Sequence, residues 1–140
     1  MWYNALMKWL LKSSLHGFIS GQIMSINYRG RRSGKHYSVP VNYHEDGKKL
    51  VAVTTRDRKW WRNMRAGLEV TVQLRGEERD AMAEAVDDPH EVEMHLRTYL
   101  ISAPQMARYF KVRIDESGIP SPEDISKAAL ERVVVLVEIR

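Results

Sequence analysis

The chain contains no cysteine. A disulfide framework, a cysteine nucleophile and a thiolate metal site are therefore excluded, and a reducing compartment such as the cytoplasm fits. Its histidines (His16, His36, His44, His90 and His95) include no pair at helical ligand spacing with a third ligand nearby, so no metal is expected. There is no Gly-x-Ser-x-Gly elbow, which disfavours serine-hydrolase chemistry. The Gly-x-x-x-x-Gly-Lys-Ser/Thr phosphate loop is missing as well. No apolar run is long enough to cross a bilayer. The apolar N-terminus is interrupted by Lys8 and Lys12 and lacks a small-residue cleavage site, so it does not read as a signal peptide. Repeats, linkers and low-complexity segments are also lacking.

What remains is an ordinary globular composition. The 140 residues are 44% hydrophobic and 29% charged, enough for one domain, 1–140, with a core of its own. The net charge of +4 is unevenly spread. From Arg29 to Arg65 eleven Lys or Arg face three acids (Glu45, Asp46, Asp57), which gives this stretch +8, whereas residues 66–140 carry −6. A basic segment in an otherwise acidic chain points to an anionic partner: phosphate, carboxylate, nucleic acid or anionic lipid. Nucleic acid is the weakest of these, because one stripe with tryptophans comes with no recognised reader motif.

Periodicity places the elements. Residues 1 to about 14 show a helical stripe of Trp2, Leu6, Trp9 and Leu10, which suits either packing on the domain or contact with a membrane surface. Strands are expected over 22–28, 36–44, 50–55, 69–75, about 79–86 and 133–139. Pro40 marks an edge or bulge in the second strand, and Asp46-Gly47 is a hairpin turn. Asp57 is placed to cap a short tryptophan-containing helix running to about Ala66. Asp88-Pro89 and Ser121-Pro122 open two further helices, and Pro104 a short one through about Lys111. The last strand is nearly all aliphatic, as a strand buried on both faces should be. The expected fold is α+β: a mostly antiparallel split β-barrel with an N-terminal helix and a helical insert over about 89–130 before the final strand.

Two stretches can carry chemistry. In Arg29-Gly30-Arg31-Arg32-Ser33-Gly34-Lys35, glycines let backbone N–H groups converge on an anion, and arginines add bidentate bonds to phosphate. A solvated hairpin that resists edge pairing has the same composition. In Thr54-Thr55-Arg56-Asp57-Arg58-Lys59-Trp60-Trp61-Arg62-Asn63-Met64-Arg65, hydroxyls and cations gather at a helix start. One tryptophan there can enter the core while its neighbour faces a ligand, or both can be ordinary core aromatics. Tyr99 and Tyr109 read as core or lid residues.

The order Gly30-Arg31-Arg32-Ser33-Gly34, Pro40, Asp46-Gly47, Trp60-Trp61-Arg62-Asn63-Met64-Arg65-Ala66, Val70-Thr71-Val72 resembles the deazaflavin-dependent nitroreductase family, within the pyridoxamine-phosphate-oxidase-like, FMN-binding split-barrel superfamily. The resemblance covers roughly residues 20–86. It implies a cofactor site made by Arg31, Arg32 and Ser33 at the phosphate, with Pro40, Thr54, Thr55, Arg56, Lys59, Trp60 and Asn63 lining the groove. The implied cofactor is a deazaflavin (coenzyme F420), with FMN as the alternative. The implied activity is hydride transfer to a quinone, nitro compound or enone. The Arg56-Asp57-Arg58-Lys59 connection is shorter than in typical members, and this favours a second reading: a non-catalytic flavin- or deazaflavin-binding carrier. A homodimer is also implied.

Overall fold

The computed structural model describes residues 23–140. The expected helix over 1–14, and the membrane contact read from it, lie outside the described residues. Six strands, β1 (Ile23–Arg29), β2 (His36–Asp46), β3 (Lys49–Thr55), β4 (Leu68–Leu74), β5 (Glu77–Val86) and β6 (Arg132–Ile139), close a barrel in the order β1-β2-β3-β6-β5-β4. Every neighbouring pair is antiparallel. Two helices, α1 (Pro89–Ser102) and α2 (Pro122–Glu131), lie between β5 and β6 in the chain.

The period-two alternation of the strands separates two cores. Met24, Ile26, Tyr43, Leu50, Ala52, Val72, Ala83, Val133, Val135 and Val137 fill the barrel. Small residues at Ala81, Ala83 and Ala85 leave room for Trp61 and Met64 in the same cluster. The opposite faces of β3 and β6, at Val51 and Val134, pack against Val92, Leu96 and Leu100 of α1 and Ile125 and Ala129 of α2. β6 is therefore buried on both sides, which explains its aliphatic run. The helices begin where the sequence says they should. Asp88 accepts from Glu91 N at 3.2 Å, and Ser121 Oγ accepts from Asp124 N at 3.3 Å.

Pro40 acts as a local edge. β2 pairs with β1 along His36–Asn42, but its ladder with β3 covers only Tyr43–Asp46. The missing N–H of Pro40 thus costs no ladder bond on that side. Here the barrel is split, and the gap between β2 and β3 becomes a groove.

Three expectations are corrected. Asp57 caps nothing: the tryptophan helix is a five-residue 3-10 helix, Trp60–Met64, whose N-cap is Lys59 without a side-chain bond. A Thr55–Arg58 turn intervenes (Arg58 N donates to Thr55 O, 3.1 Å), so the Asp57 carboxylate receives the Thr55 hydroxyl instead. So short a helix offers little dipole. The helix expected from Pro104 to Lys111 shrinks to a 3-10 turn, Pro104–Met106, followed by turns that end at Lys111 with φ 57°. β5 begins at Glu77, earlier than its alternation suggested.

Candidate active site

The basic turn after β1 is tied to the Trp60–Met64 helix by Arg31. Its backbone N donates to Asn63 Oδ1 at 3.0 Å, its Nε to Asn63 O at 2.8 Å and its Nη2 to Gly67 O at 2.6 Å. Asn63 Nδ2 in turn donates to Trp60 O at 3.1 Å. Gly67 takes φ 85° to end the helix and present that carbonyl. Gly30 is required for space: a Cβ there would lie 2.9 Å from Ser33 Oγ and from the Tyr37 ring. Ser33 Oγ lies 3.2 Å from the Tyr37 hydroxyl and accepts from Lys35 N. Tyr37 stacks on Tyr28 at 5.4 Å.

These contacts shape a groove of about 660 Å³ lined by Arg31, Arg32, Ser33, Lys59, Trp60 and Asn63, with Tyr28 and Tyr37 among the remaining walls. The side chains of Arg32 and Lys59 are exposed and make no hydrogen bond or ion pair among the described residues. Their charge is available to an anion, whereas that of Arg31 is directed at carbonyls. Trp61 faces away, 2% exposed, with the Arg65 and Arg62 guanidinium groups 4.9 and 5.7 Å from its ring. Trp60 is the half-buried neighbour that faces outward.

Trp60 also lines the second groove, about 450 Å³, in the split between β2 and β3. Pro40, Asn42 and Thr54 stand on its strand walls, and Tyr99, Tyr109 and Phe110 of the insert close it. Tyr99 is 2% exposed, and burial pushes its hydroxyl up to about 12, so the phenol stays neutral. Its ring meets His44 at 5.4 Å and Phe110 edge-on at 5.9 Å.

Eight of the ten residues singled out from the sequence therefore line one or both grooves. Thr55 and Arg56 line neither. The Thr55 hydroxyl donates to Asp57 Oδ1 at 2.5 Å, holding that carboxyl below its usual range. Arg56 Nη2 donates to Asp87 O, and its backbone N to Glu131 O at 3.0 Å. Sequence reasoning missed Tyr28, Tyr37, Asn42, Phe110 and Arg132 as lining residues. Tyr37 was within reach, since it lies two residues after the basic turn. Phe110 and Arg132 carry no local signal, because the fold alone brings the insert to β2. Among the described residues no three His, Asp or Glu come together as a metal site, and no helix is long and apolar enough to cross a membrane.

The sequence model of F420H(2)-dependent quinone reductases matches residues 13–117, well over half of the chain. The chain belongs to this family. Membership makes it a deazaflavin-dependent reductase, with coenzyme F420 the cofactor that the family name specifies. No curated protein matches this quinone-reductase family member. Among solved structures it is similar to the F420-H2 dependent reductase FDR-A, at 22% identity and TM-score 0.51 over 82% of this chain and 93% of that one. It is also similar to a general stress FMN/FAD binding protein from Xanthomonas citri, at 12% identity and TM-score 0.50 over 97% and 84% of the two chains. A structure described as a domain-swapped dimer is similar at 20% identity and TM-score 0.52, over 96% of both. At these identities the likeness is one of fold, the split barrel.

Proposed function

We propose that this reductase holds F420 across the two grooves, with the anionic tail in the basic one and the ring beside Trp60, and that it reduces a quinone. The observation that carries this reading is the position of Trp60, shared by a groove with free cations and a split walled in part by Val39, Val41, Val53 and Phe110. The residues fit such a cofactor. Arg32 and Lys59 have donors to spare for phosphate or carboxylate, and a flat ring suits walls of Val39, Val41 and Val53. Arg31 and Asn63 position the floor through their mutual bonds. Ser33 adds a hydroxyl, Pro40 and Thr54 border the ring, and Thr55 and Arg56 brace the connection from behind.

The bound cofactor, when reduced, supplies the hydride. The chain contributes position and a dry wall: Phe110 and Tyr99, both buried, exclude water from one side of the split. Nitro compounds and enones are acceptors of the same planar, electron-poor kind. FMN is the alternative occupant, since its phosphate meets the same cations. A homodimer accompanies this reading, supported by the fold relative described as a domain-swapped dimer and by Met94 and Ile101, which α1 exposes by 62% and 57%. Light scattering on the purified chain measures it.

The test is a titration with F420 and, in parallel, FMN, followed by tryptophan fluorescence, then steady-state turnover with reduced F420 and a quinone. Quenching by F420 in preference to FMN, with turnover, is expected. A folded protein that neither cofactor quenches refutes the reading. Tight F420 binding with no turnover on quinones, nitro compounds or enones would transfer the chain to the carrier class.

A further inference from the structure

Among the described residues four buried side-chain polar atoms lack a partner: Asn27 Nδ2, Asn42 Oδ1, Trp61 Nε1 and Arg132 Nε. Two of these residues, Asn42 and Arg132, line the same split groove. A buried donor or acceptor left unpaired is costly, so such atoms call for an explanation.

Arg132 opens β6, in register with Thr55 of β3. Its guanidinium is held at two points of the insert: Nη2 donates to Tyr109 O at 3.2 Å, and the group sits 5.1 Å from the Phe110 ring centroid. No carboxylate of the described residues pairs with it. An arginine cannot shed its proton to escape this position, and a partly buried cation without a counter-ion is stabilised by an incoming anion. Asn42, on β2 across the split, offers an acceptor to an O–H or N–H. The walls between them are flat and apolar (Val39, Val53, Trp60). A ligand that answers all three features is a planar ring bearing an ionisable oxygen.

We propose that Arg132 is the oxyanion-binding residue of the split groove. Its guanidinium donates to a ring oxygen that becomes anionic on two-electron reduction, while the Asn42 side-chain amide meets the ring's polar edge. The charge balance requires such a group. A hydride brings two electrons and one proton, so a neutral quinone holds one negative charge on oxygen until solvent supplies the second proton. Preorganised donors aimed at that oxygen stabilise it as it forms. The oxygen belongs either to the acceptor or to the polar edge of the cofactor ring. The proposal rests on the split groove being the reaction chamber, as the preceding reading holds.

The probe is 4-nitrophenol, added to the protein without cofactor, because its absorbance distinguishes phenol from phenolate. In the wild type the bound probe is expected to ionise at lower pH than the free one. In Arg132→Met the shift disappears and phenolate affinity falls at least about tenfold, the share of one charge-assisted hydrogen bond. Arg132→Lys keeps the charge without Nε and recovers only part, which also covers the case of a poorly folded Met variant. The other cation on the lining is Arg58, which is exposed, and Arg58→Ala leaves the shift in place. Adding F420 then separates the two sources: displacement of the probe assigns Arg132 to the cofactor edge, and joint binding assigns it to the acceptor. No phenolate binding by the wild type, or a shift that survives Arg132→Met or follows Arg58, overturns the proposal. A wild type that binds phenolate through Arg132 yet never binds F420 sinks the proposed function and leaves only the anion-binding role of Arg132 standing.

Discussion

Arg31 and Arg32 are adjacent, identical in chemistry and both exposed, yet the structure gives them different work. Arg31→Ala removes two hydrogen bonds, Nε to Asn63 O at 2.8 Å and Nη2 to Gly67 O at 2.6 Å, and leaves the backbone bond to Asn63 Oδ1. A charged donor in a shielded site contributes roughly 1.5–3 kcal/mol per bond. These sites are open, and water replaces part of each bond, so about 1–2 kcal/mol for the pair is expected. That corresponds to a fall in Tm of roughly 3–8 °C for a domain of this size. Arg32→Ala removes no bond among the described residues, so its stability stays within about 0.5 kcal/mol of the parent. Its cofactor affinity falls about 10- to 100-fold, the loss of one charge-assisted contact to an anionic tail. Arg31→Ala loses affinity as well, because the turn is no longer fastened to the helix that carries Trp60. Thermal melts by circular dichroism, paired with the fluorescence titration, separate the two. Equal destabilisation by both variants, or an unchanged Tm in Arg31→Ala, would refute the assignment of Arg31 to positioning and Arg32 to binding.

Further outcomes follow from the same geometry. Gly30→Ala forces a Cβ to within 2.9 Å of Ser33 Oγ and the Tyr37 ring; displacement of Tyr37 lowers F420 affinity more than it lowers the urea midpoint, and an unaltered affinity counts against the tight turn. Ile125 is fully buried beside α1 and β6, so Ile125→Ala costs about 2–4 kcal/mol by chemical denaturation, and a loss below about 1 kcal/mol would mean that the helical layer is loosely packed. The Arg113 guanidinium, bonded at 2.8 Å, holds the Asp124 carboxyl below its ordinary value of 3.8. A depressed folded value means that this stability is fully present above the unfolded value and is lost as pH falls through the folded one. Urea midpoints between about pH 5 and pH 2 should therefore drop less steeply in Asp124→Asn than in the parent, and parallel curves would exclude the pair as a contributor.

Much of the frame could be read from local rules. The Asp46-Gly47 turn, the caps at Asp88 and Ser121, and the two-sided burial of β6 each follow from chemistry within a few residues, and the structure repeats them. The split itself was foreshadowed by Pro40, which cannot donate to a neighbour and so sits where β2 has parted from β3. The basic segment from Arg29 to Arg65 pointed to an anionic partner in advance of any fold.

Other features had no local trace. Nothing in Arg31-Arg32 says which guanidinium turns inward, because the choice depends on carbonyls at Asn63 and Gly67 that are more than thirty residues away. Thr55 and Arg56 belong to the same basic run as Lys59 and Trp60, yet the turn between them sends the first pair toward Asp57 and Asp87 and the second pair to the grooves. Arg132 begins a strand that reads only as core, and barrel closure between β3 and β6 is what brings it to the split opposite Asn42. Composition and periodicity are properties of neighbours in the chain, so they determined the elements, the sign of the site's charge and the family pattern. The direction of each functional side chain was decided by closure of the barrel, because orientation depends on partners that only the tertiary structure supplies.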